Sequence, residues 1–385
     1  MSYPGVSTTI DYYISLRSTW GAFNYGDADP STPGWAEFSF SYWAAEKFNK
    51  PEYAWYEYNK CDLNGIYGPI WRLTHKLAYY DPKEVPLIEA SFPLDKAFQS
   101  EYATNVATMR SSWASENEVY VGIQGGGPGI THMFQSLGTF VIDANNERWA
   151  TMRGRGVYAW PGYFDIEQQK WTYYTARTEG QNCIVINPDK SAGQNINAVA
   201  AVKDFVSNPN EVYATVDLTE AYNKDVESYT RGIKLFDNRE KILVQDDIKA
   251  KDVIKEGYWF MHTDAEILVS DDGKSAMLFK NGKRMYMEIV SGHDGAKLTV
   301  VDAKPLSQSP NPEIQWDVDY GRKLSIDISG TKDLTLAVLF VPLKDGEAVS
   351  EYDIDLSSIE QWSPDTSSGI SSELTGAVAL YANSP

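Results

Sequence analysis

The chain has 385 residues, 43% of them hydrophobic, and 34 Lys and Arg stand against 53 Asp and Glu for a formal net charge of −19. This length provides two domains or one large β domain with an ample core. So acidic a surface works against nucleic acid and anionic membranes as partners, and it repels acidic polysaccharides unless a local basic cleft overrides the mean field.

Residues 1–82 read as helical. Trp35, Phe38, Tyr42, Ala45 and Phe48 recur at helical spacing after the turn-forming run from Asp29 to Gly34. Pro51 opens a second short helix through Tyr58. Gly68-Pro69 opens a third, with Ile70, Leu73, Leu77 and Tyr80 on one face and Asp81-Pro82 as its stop. Three short helices with large aromatic faces do not make an independent domain; they read as the tail of a larger helical array. Residues 83–103 form a Pro-containing connector.

From about residue 104 the hydrophobic period becomes two, with Val119, Val121 and Ile123 alternating with Tyr120 and Gly122. Strands are expected at 139–143, 182–186, 212–218, 229–236, 240–248, 257–261, 276–280, 284–290, 297–302, 323–328 and 334–341. Asp272-Gly273 and Asn281-Gly282 are hairpin turn signals. Short strands without intervening helices imply a large antiparallel β-sandwich over 104–362, preceded by a few α-helices. A Ser-rich tail, 363–385, follows.

Chemistry concentrates between His132 and Asn182. Over 148–182, Arg148, Arg153, Arg155, Lys170 and Arg177 outnumber Asp165, Glu167 and Glu179, a local reversal of the overall charge. The loop Gly125–Gly129 lacks the Lys-Ser/Thr and helix of a phosphate cradle, and reads as a tight turn delivering His132. By itself His132 fits a satisfied core histidine at least as well as a site residue. His75, His262 and His293 have no neighbours at metal-ligand spacing, and no Gly-x-Ser-x-Gly elbow is present. Cys61 and Cys183 are too few for a disulfide framework. The 13% aromatic content fits β-core packing first and sugar-stacking surfaces second. No apolar run reaches ~18 residues, so no membrane span is expected. Met1–Pro4 lacks the basic and apolar regions of a signal peptide, so the sequence as given carries no export address.

Several blocks in order carry a family resemblance: Phe23-Asn-Tyr-Gly-Asp27, Met109-Arg-Ser-Ser-Trp113, Gly138-Thr-Phe-Val-Ile-Asp-Ala, Glu147-Arg-Trp-Ala, Pro161-Gly-Tyr-Phe-Asp165, Trp171-Thr-Tyr-Tyr, Thr178-Glu-Gly-Gln-Asn182, Val244-Gln-Asp-Asp-Ile248 and Trp259-Phe-Met-His-Thr263. From about Phe23 to Val290 the chain resembles the C-terminal half of heparinase II/III-like polysaccharide lyases, which join an (α/α) toroid to an antiparallel β-sandwich. The resemblance implies that residues 1–82 are the end of such a toroid. The toroid's catalytic tyrosine would lie upstream, so the chain reads as a truncated form, a stand-alone descendant or one piece of a split protein. It also implies a periplasmic or secreted setting and an acidic polysaccharide or oligosaccharide as partner. A separate toroid segment or a second copy of the chain is a further candidate partner.

The implied reaction is β-elimination at a uronic acid. A C5 proton leaves, the enolate-like anion is stabilised by neutralising the carboxylate, and the O4 leaving group is protonated. His132 matches the first histidine of the family's active-site block and is the candidate acid/base or carboxylate-neutralising group. Tyr158 and Tyr163 are candidate proton donors. Arg153, Arg155 and Arg177 are candidates for bidentate carboxylate binding, and Gln181 and Asn182 for hydrogen bonds to substrate. The family's zinc positions are Phe134, Met152 and Gln181 here, side chains that cannot build a zinc set, so no zinc and no other cofactor is expected. A non-catalytic, glycan-binding or partner-binding β-sandwich derived from such a lyase is the alternative.

Overall fold

A computed structural model describes residues 5–28, 38, 40–63, 70–80, 92–100, 104–113, 117–191, 193–352, 354 and 356–362; of 70–73 it describes the backbone. Four α-helices lie in the described N-terminal part: α1 (Thr9–Ser15), α2 (Ser41–Phe48), α3 (Pro51–Tyr56), which runs on as a wider π-turn over Glu57–Asp62, and α4 (Ile70–Tyr79). Pro51 opens α3 because its fixed φ and missing N–H suit the first helical turn. Leu77 and Tyr80, two of the four residues expected on one face of α4, are exposed. The turn expected before α2, the 83–91 and 101–103 parts of the connector and the 363–385 tail lie outside the described residues.

The rest is mainly antiparallel β-sheet. A five-stranded sheet runs in chain order through β1 (Lys96–Gln99), β2 (Asn105–Arg110), β3 (Val119–Gln124), β4 (Phe140–Ala144) and β5 (Glu147–Ala150). The remaining strands are β6 (Ile184–Ile186), β7 (Val202–Ser207), β8 (Val212–Asp217), β9 (Val226–Phe236), β10 (Lys241–Ala250), β11 (Gly257–Thr263), β12 (Glu266–Val269), β13 (Ser275–Lys280), β14 (Lys283–Ser291), β15 (Leu298–Asp302), β16 (Arg322–Asp327) and β17 (Asp333–Leu343). An eight-stranded sheet has the order β12-β13-β14-β17-β10-β9-β8-β7, and a four-stranded sheet the order β15-β16-β11-β6. Asn281 and Gly282 take positive φ between β13 and β14, and Asn145 and Asn146 do so between β4 and β5, as two-residue hairpins require.

One continuous core binds the three sheets, with Met109, Val121, Phe140 and Ile142 from the first, Ile233, Val244, Leu336 and Phe340 from the second, and Trp259, Met261, Leu324 and Ile326 from the third. The five- and four-stranded sheets meet where the Thr151 N–H donates to the His262 carbonyl at 2.9 Å, and together they face the eight-stranded sheet. Full burial of each such aliphatic or aromatic side chain contributes about 1.5–3 kcal/mol. Among the described residues no helix is long and apolar enough to cross a membrane.

Five strands depart from the expected pattern. β1 lies inside the expected connector, and β2, β5, β7 and β12 were not expected. All but β2 are edge strands of the two larger sheets; β2 is buried throughout, but Asn105, Thr108 and Arg110 interrupt its apolar pattern. An edge strand pairs on one side only and tolerates short length and polar residues, as in Val-Lys-Asp of β7, so its hydrophobic period is weak.

Inside the sandwich Arg231 and Asp246 form a two-point ion pair, Nε to Oδ1 at 2.7 Å and Nη2 to Oδ2 at 2.9 Å, both side chains fully buried. The Tyr229 hydroxyl donates to the same carboxylate at 2.7 Å. Arg231 Nη1 donates to the Gly138 and Asn182 carbonyls at 2.8 and 2.7 Å, tying β9 to loops of the opposite layer. Arg231→Met leaves Asp246 buried without its counter-charge and should cost about 3–5 kcal/mol in urea unfolding; adding Asp246→Leu should recover much of that loss. A single variant within 1 kcal/mol of the parent would show that Tyr229 alone satisfies the carboxylate.

Candidate functional site

The outer face of the five-stranded sheet carries the site. Its outward positions are Phe98, Val106, Tyr120, Gly122 and Val141, alternating with core residues as the pleat requires. Here lies the segment that follows α1. Arg110 Nη2 takes the carbonyls of Ser15 and Arg17 at 3.2 and 2.8 Å, and the Tyr120 hydroxyl takes Ser15 at 3.1 Å. Arg148 forms a two-point pair with Asp143 and reaches the Ala22 carbonyl at 2.8 Å and Asn24 Oδ1 at 3.1 Å. Gly122 leaves room for the Phe23 ring, since a Cβ there would sit 2.4 Å from it. At Gly26, φ is +66° and the His132 carbonyl lies 2.8 Å from where a Cβ would be, so glycine permits the turn that brings Asp27 to His132.

Asp27 is the hub. Its Oδ2 lies 2.7 Å from His132 Nδ1 and accepts the Tyr158 hydroxyl at 2.9 Å. A carboxylate only accepts, so Nδ1 carries the proton in the neutral ring and Nε2 keeps its lone pair. The His132 side chain is 61% exposed. Tyr158 and Phe164, also exposed, flank its ring at centroid distances of 6.2 and 5.4 Å. Partial burial, then the Asp27 contact, raises the Tyr158 phenol above its ordinary value and holds it protonated. Arg155 is exposed, with its guanidinium 4.6 Å from the centre of the Tyr158 ring. An open cleft of about 370 Å3 adjoins Asp27 and His132, walled by Tyr12, Phe23, Asn24, Tyr25 and Met133. The Tyr12 and Tyr25 hydroxyls are in contact there.

Behind His132, Lys170 is fully buried, its ammonium bonded to the Thr131 carbonyl and packed beside the Phe134 and Trp171 rings. Burial pulls it down to about 8. Tyr163 is buried behind Tyr158 at a ring distance of 5.1 Å, and burial raises its phenol.

The structure therefore brings together His132, Tyr158, Tyr163 and Arg155. Four other expected substrate-binding residues are engaged within the protein. Arg153 binds Asp264 at 2.5 Å and the carbonyls of Thr263 and Arg322. Arg177 is buried against Glu179 and the carbonyls of Trp171, Ser191 and Asp189. Gln181 is buried and donates to the Thr175 carbonyl. Asn182 is buried; it donates to the Phe140 and Thr151 carbonyls and accepts the His262 N–H at 2.8 Å. Asp27 and Lys170 had no role assigned from sequence. Asp27 had a signal, the Gly-Asp end of the Phe23–Asp27 block; Lys170 had none beyond its charge.

The positions implied for zinc do not fit it. Phe134 packs with Trp160, Tyr163, Trp171 and Tyr173, whereas Met152 packs in another cluster with Phe23, Phe98 and Tyr120. Gln181 uses its amide N–H on backbone. Among the described residues no group of three His, Cys, Asp or Glu is placed to hold a metal ion.

Among solved structures the chain is similar to a heparinase III gene product (15% identity, TM-score 0.61, 87% of this chain and 46% of that one), to heparan sulfate lyase HepC from Pedobacter heparinus (14%, 0.61, 89% and 47%) and to another heparinase III (9%, 0.59, 88% and 48%). At these identities the likeness is one of fold, and the chain spans a little under half the length of each. No protein-family profile and no curated protein matches the sequence. If the Phe134 and Met152 positions are packing sites, dialysis against a chelator leaves the thermal unfolding midpoint unchanged; a lowered midpoint, or one zinc per chain by elemental analysis, would overturn that account.

Proposed function

We propose that the chain is the sandwich part of a zinc-free polysaccharide lyase that acts by β-elimination on a uronic-acid-containing glycan. The observation that carries this reading is the Asp27–His132–Tyr158 hydrogen-bonded group at the edge of an open cleft, with the Arg155 guanidinium beside it. Heparinases and a heparan sulfate lyase share the fold, which supports an acidic polysaccharide as the substrate class.

Each residue has a task that follows from its protonation. Asp27 fixes the His132 tautomer and leaves Nε2 free to take the C5 proton. Arg155 neutralises the uronate carboxylate and so stabilises the enolate-like anion. Tyr158, held protonated, donates to the O4 leaving group as the C4–O4 bond breaks. Lys170 fixes the backbone just before His132. Against the chain's own charge of −19, approach of a polyanion to this site relies on the exposed Arg155 guanidinium, so binding should weaken with salt.

A second reading has its own support. Arg153, Arg177, Gln181 and Asn182 are engaged by protein groups, and the chain spans under half of its structural neighbours. It is a glycan-binding sandwich without turnover, or one that needs a separate toroid segment or a second copy.

Near-ultraviolet absorbance of unsaturated uronate products, followed on alginate, heparan sulfate, chondroitin and ulvan, separates the two. The lyase reading expects product from at least one glycan and its loss in His132→Ala. Retained glycan binding with no product from any of them supports the second reading. Asp27→Asn should lower the rate at least ~100-fold by releasing the histidine tautomer. Because the acid form of Tyr158 is required and its pKa is raised, the alkaline limb of the pH–rate profile should fall above about pH 10; a limb well below that removes Tyr158 as the donor.

A further inference from the structure

Successive tyrosines of the 169–180 run face different surroundings. Tyr173 packs on Trp160 and Tyr163, near His132. Tyr174 packs on His262 and Tyr320, and its hydroxyl bonds His262 Nε2 at 2.7 Å. Beyond Tyr174 lies the loop 304–320, which the proposed reaction does not use. It holds Trp316 61% exposed, an unfavourable place for an indole unless something covers it.

The loop is built to hold that ring still. Buried Glu179 accepts the Leu306 N–H at 3.0 Å and the Ser309 hydroxyl at 2.8 Å. Gln315, also buried, accepts the Tyr174 N–H at 2.9 Å and donates to Asn311 Oδ1 at 3.0 Å. The Trp316 indole N–H donates to the Asn311 carbonyl at 3.0 Å, which pins the ring plane while leaving much of its surface in water. A cleft of about 160 Å3 adjoins it, lined by Lys304, Pro305, Asn311, Val318 and Tyr320 besides Gln315 and Trp316. The Tyr320 hydroxyl is buried with no hydrogen-bond partner among the described residues. A fixed aromatic face, an open pocket and an unsatisfied hydroxyl together suit a sugar ring, which offers axial C–H groups to the indole and hydroxyls to the polar atoms.

The charges select which sugar. Asp302, Glu313, Asp317 and Asp319 lie on or beside this loop and outnumber its cations, Lys304, which Asp302 engages at 2.9 Å, and Arg322. This field repels uronate and sulfate. We infer that the 304–320 loop is a second glycan-binding site, specific for neutral sugar units, with Trp316 as its stacking platform and Tyr320 and Asn311 as hydrogen-bonding groups. The site does not depend on the reading of His132. It would hold the chain to uncharged glycan that surrounds or interrupts an acidic substrate.

Native gel electrophoresis of the full chain through barley β-glucan, xylan, galactomannan or starch, with heparin as the charged counterpart, tests this. The parent should be retarded by at least one neutral polysaccharide. Trp316→Ala should raise the Kd at least about tenfold, as for removal of a central aromatic anchor, while His132→Ala leaves the retardation unchanged. Thermal unfolding verifies that each variant folds. Should Trp316→Ala not fold, Trp316→Phe keeps a ring and should bind with intermediate affinity. Absence of retardation by all four neutral polysaccharides overturns the site. So do retardation that a folded Trp316→Ala preserves, affinity of a folded Trp316→Phe equal to the parent's, and equal loss in the Trp316 and His132 variants.

Discussion

The buried Arg231–Asp246 pair is the constraint on which the arrangement of loops depends. A guanidinium in the middle of a sandwich must spend every N–H on an acceptor, because an unmade bond there carries the full desolvation cost. Two-point contact with Asp246 uses Nε and one N–H of Nη2, and Nη1 takes the carbonyls of Gly138 and Asn182. Those carbonyls close the two stretches that make up the site wall: the loop carrying His132 and the 169–182 run carrying Lys170, Tyr173 and Tyr174. The charge inside the core thus sets the register of polar loops outside it.

A second set of arginines does the same work on the outer face of the five-stranded sheet. Arg110 and Arg148 are fully buried, each neutralised by a carboxylate, Glu118 and Asp143, and each reaching past it to carbonyls of the segment after α1. Their target is backbone, so the segment's position is fixed independently of most of its side chains. Phe23, seated over Gly122, adds a side-chain contact that demands a glycine on the sheet. The outcome is a carboxylate, Asp27, delivered to a histidine 105 positions away.

How much was legible in the sequence follows from the same physics. Central strands such as β10 and β17 have neighbours on both sides and sit in the core, so their apolar runs are long and plain. The edge strands β1, β5, β7 and β12 lack that demand and left little trace. At the site, His132, Tyr158, Tyr163 and Arg155 were legible as a cluster because they lie within one stretch of chain. Arg177 and Asn182 looked equally available, but their partners are carbonyls that only the folded loops assemble. Asp27 was visible as a residue and not as a partner, since its role is created by a sequence-distant turn at Gly26. The aromatic content pointed to core packing first and to sugar stacking second; only the loop's hydrogen bonds single out Trp316.

The docking of residues 16–28 on the sheet separates two sets of contacts. The inner face of that sheet belongs to the main core, whereas the segment packs on the outer face, in a separate small cluster around Phe23, and against the loop that carries His132. The contact of Asp27 with His132 therefore draws on a local set of interactions distinct from those that close the sandwich, so its stability is a local quantity and not that of the scaffold beneath it.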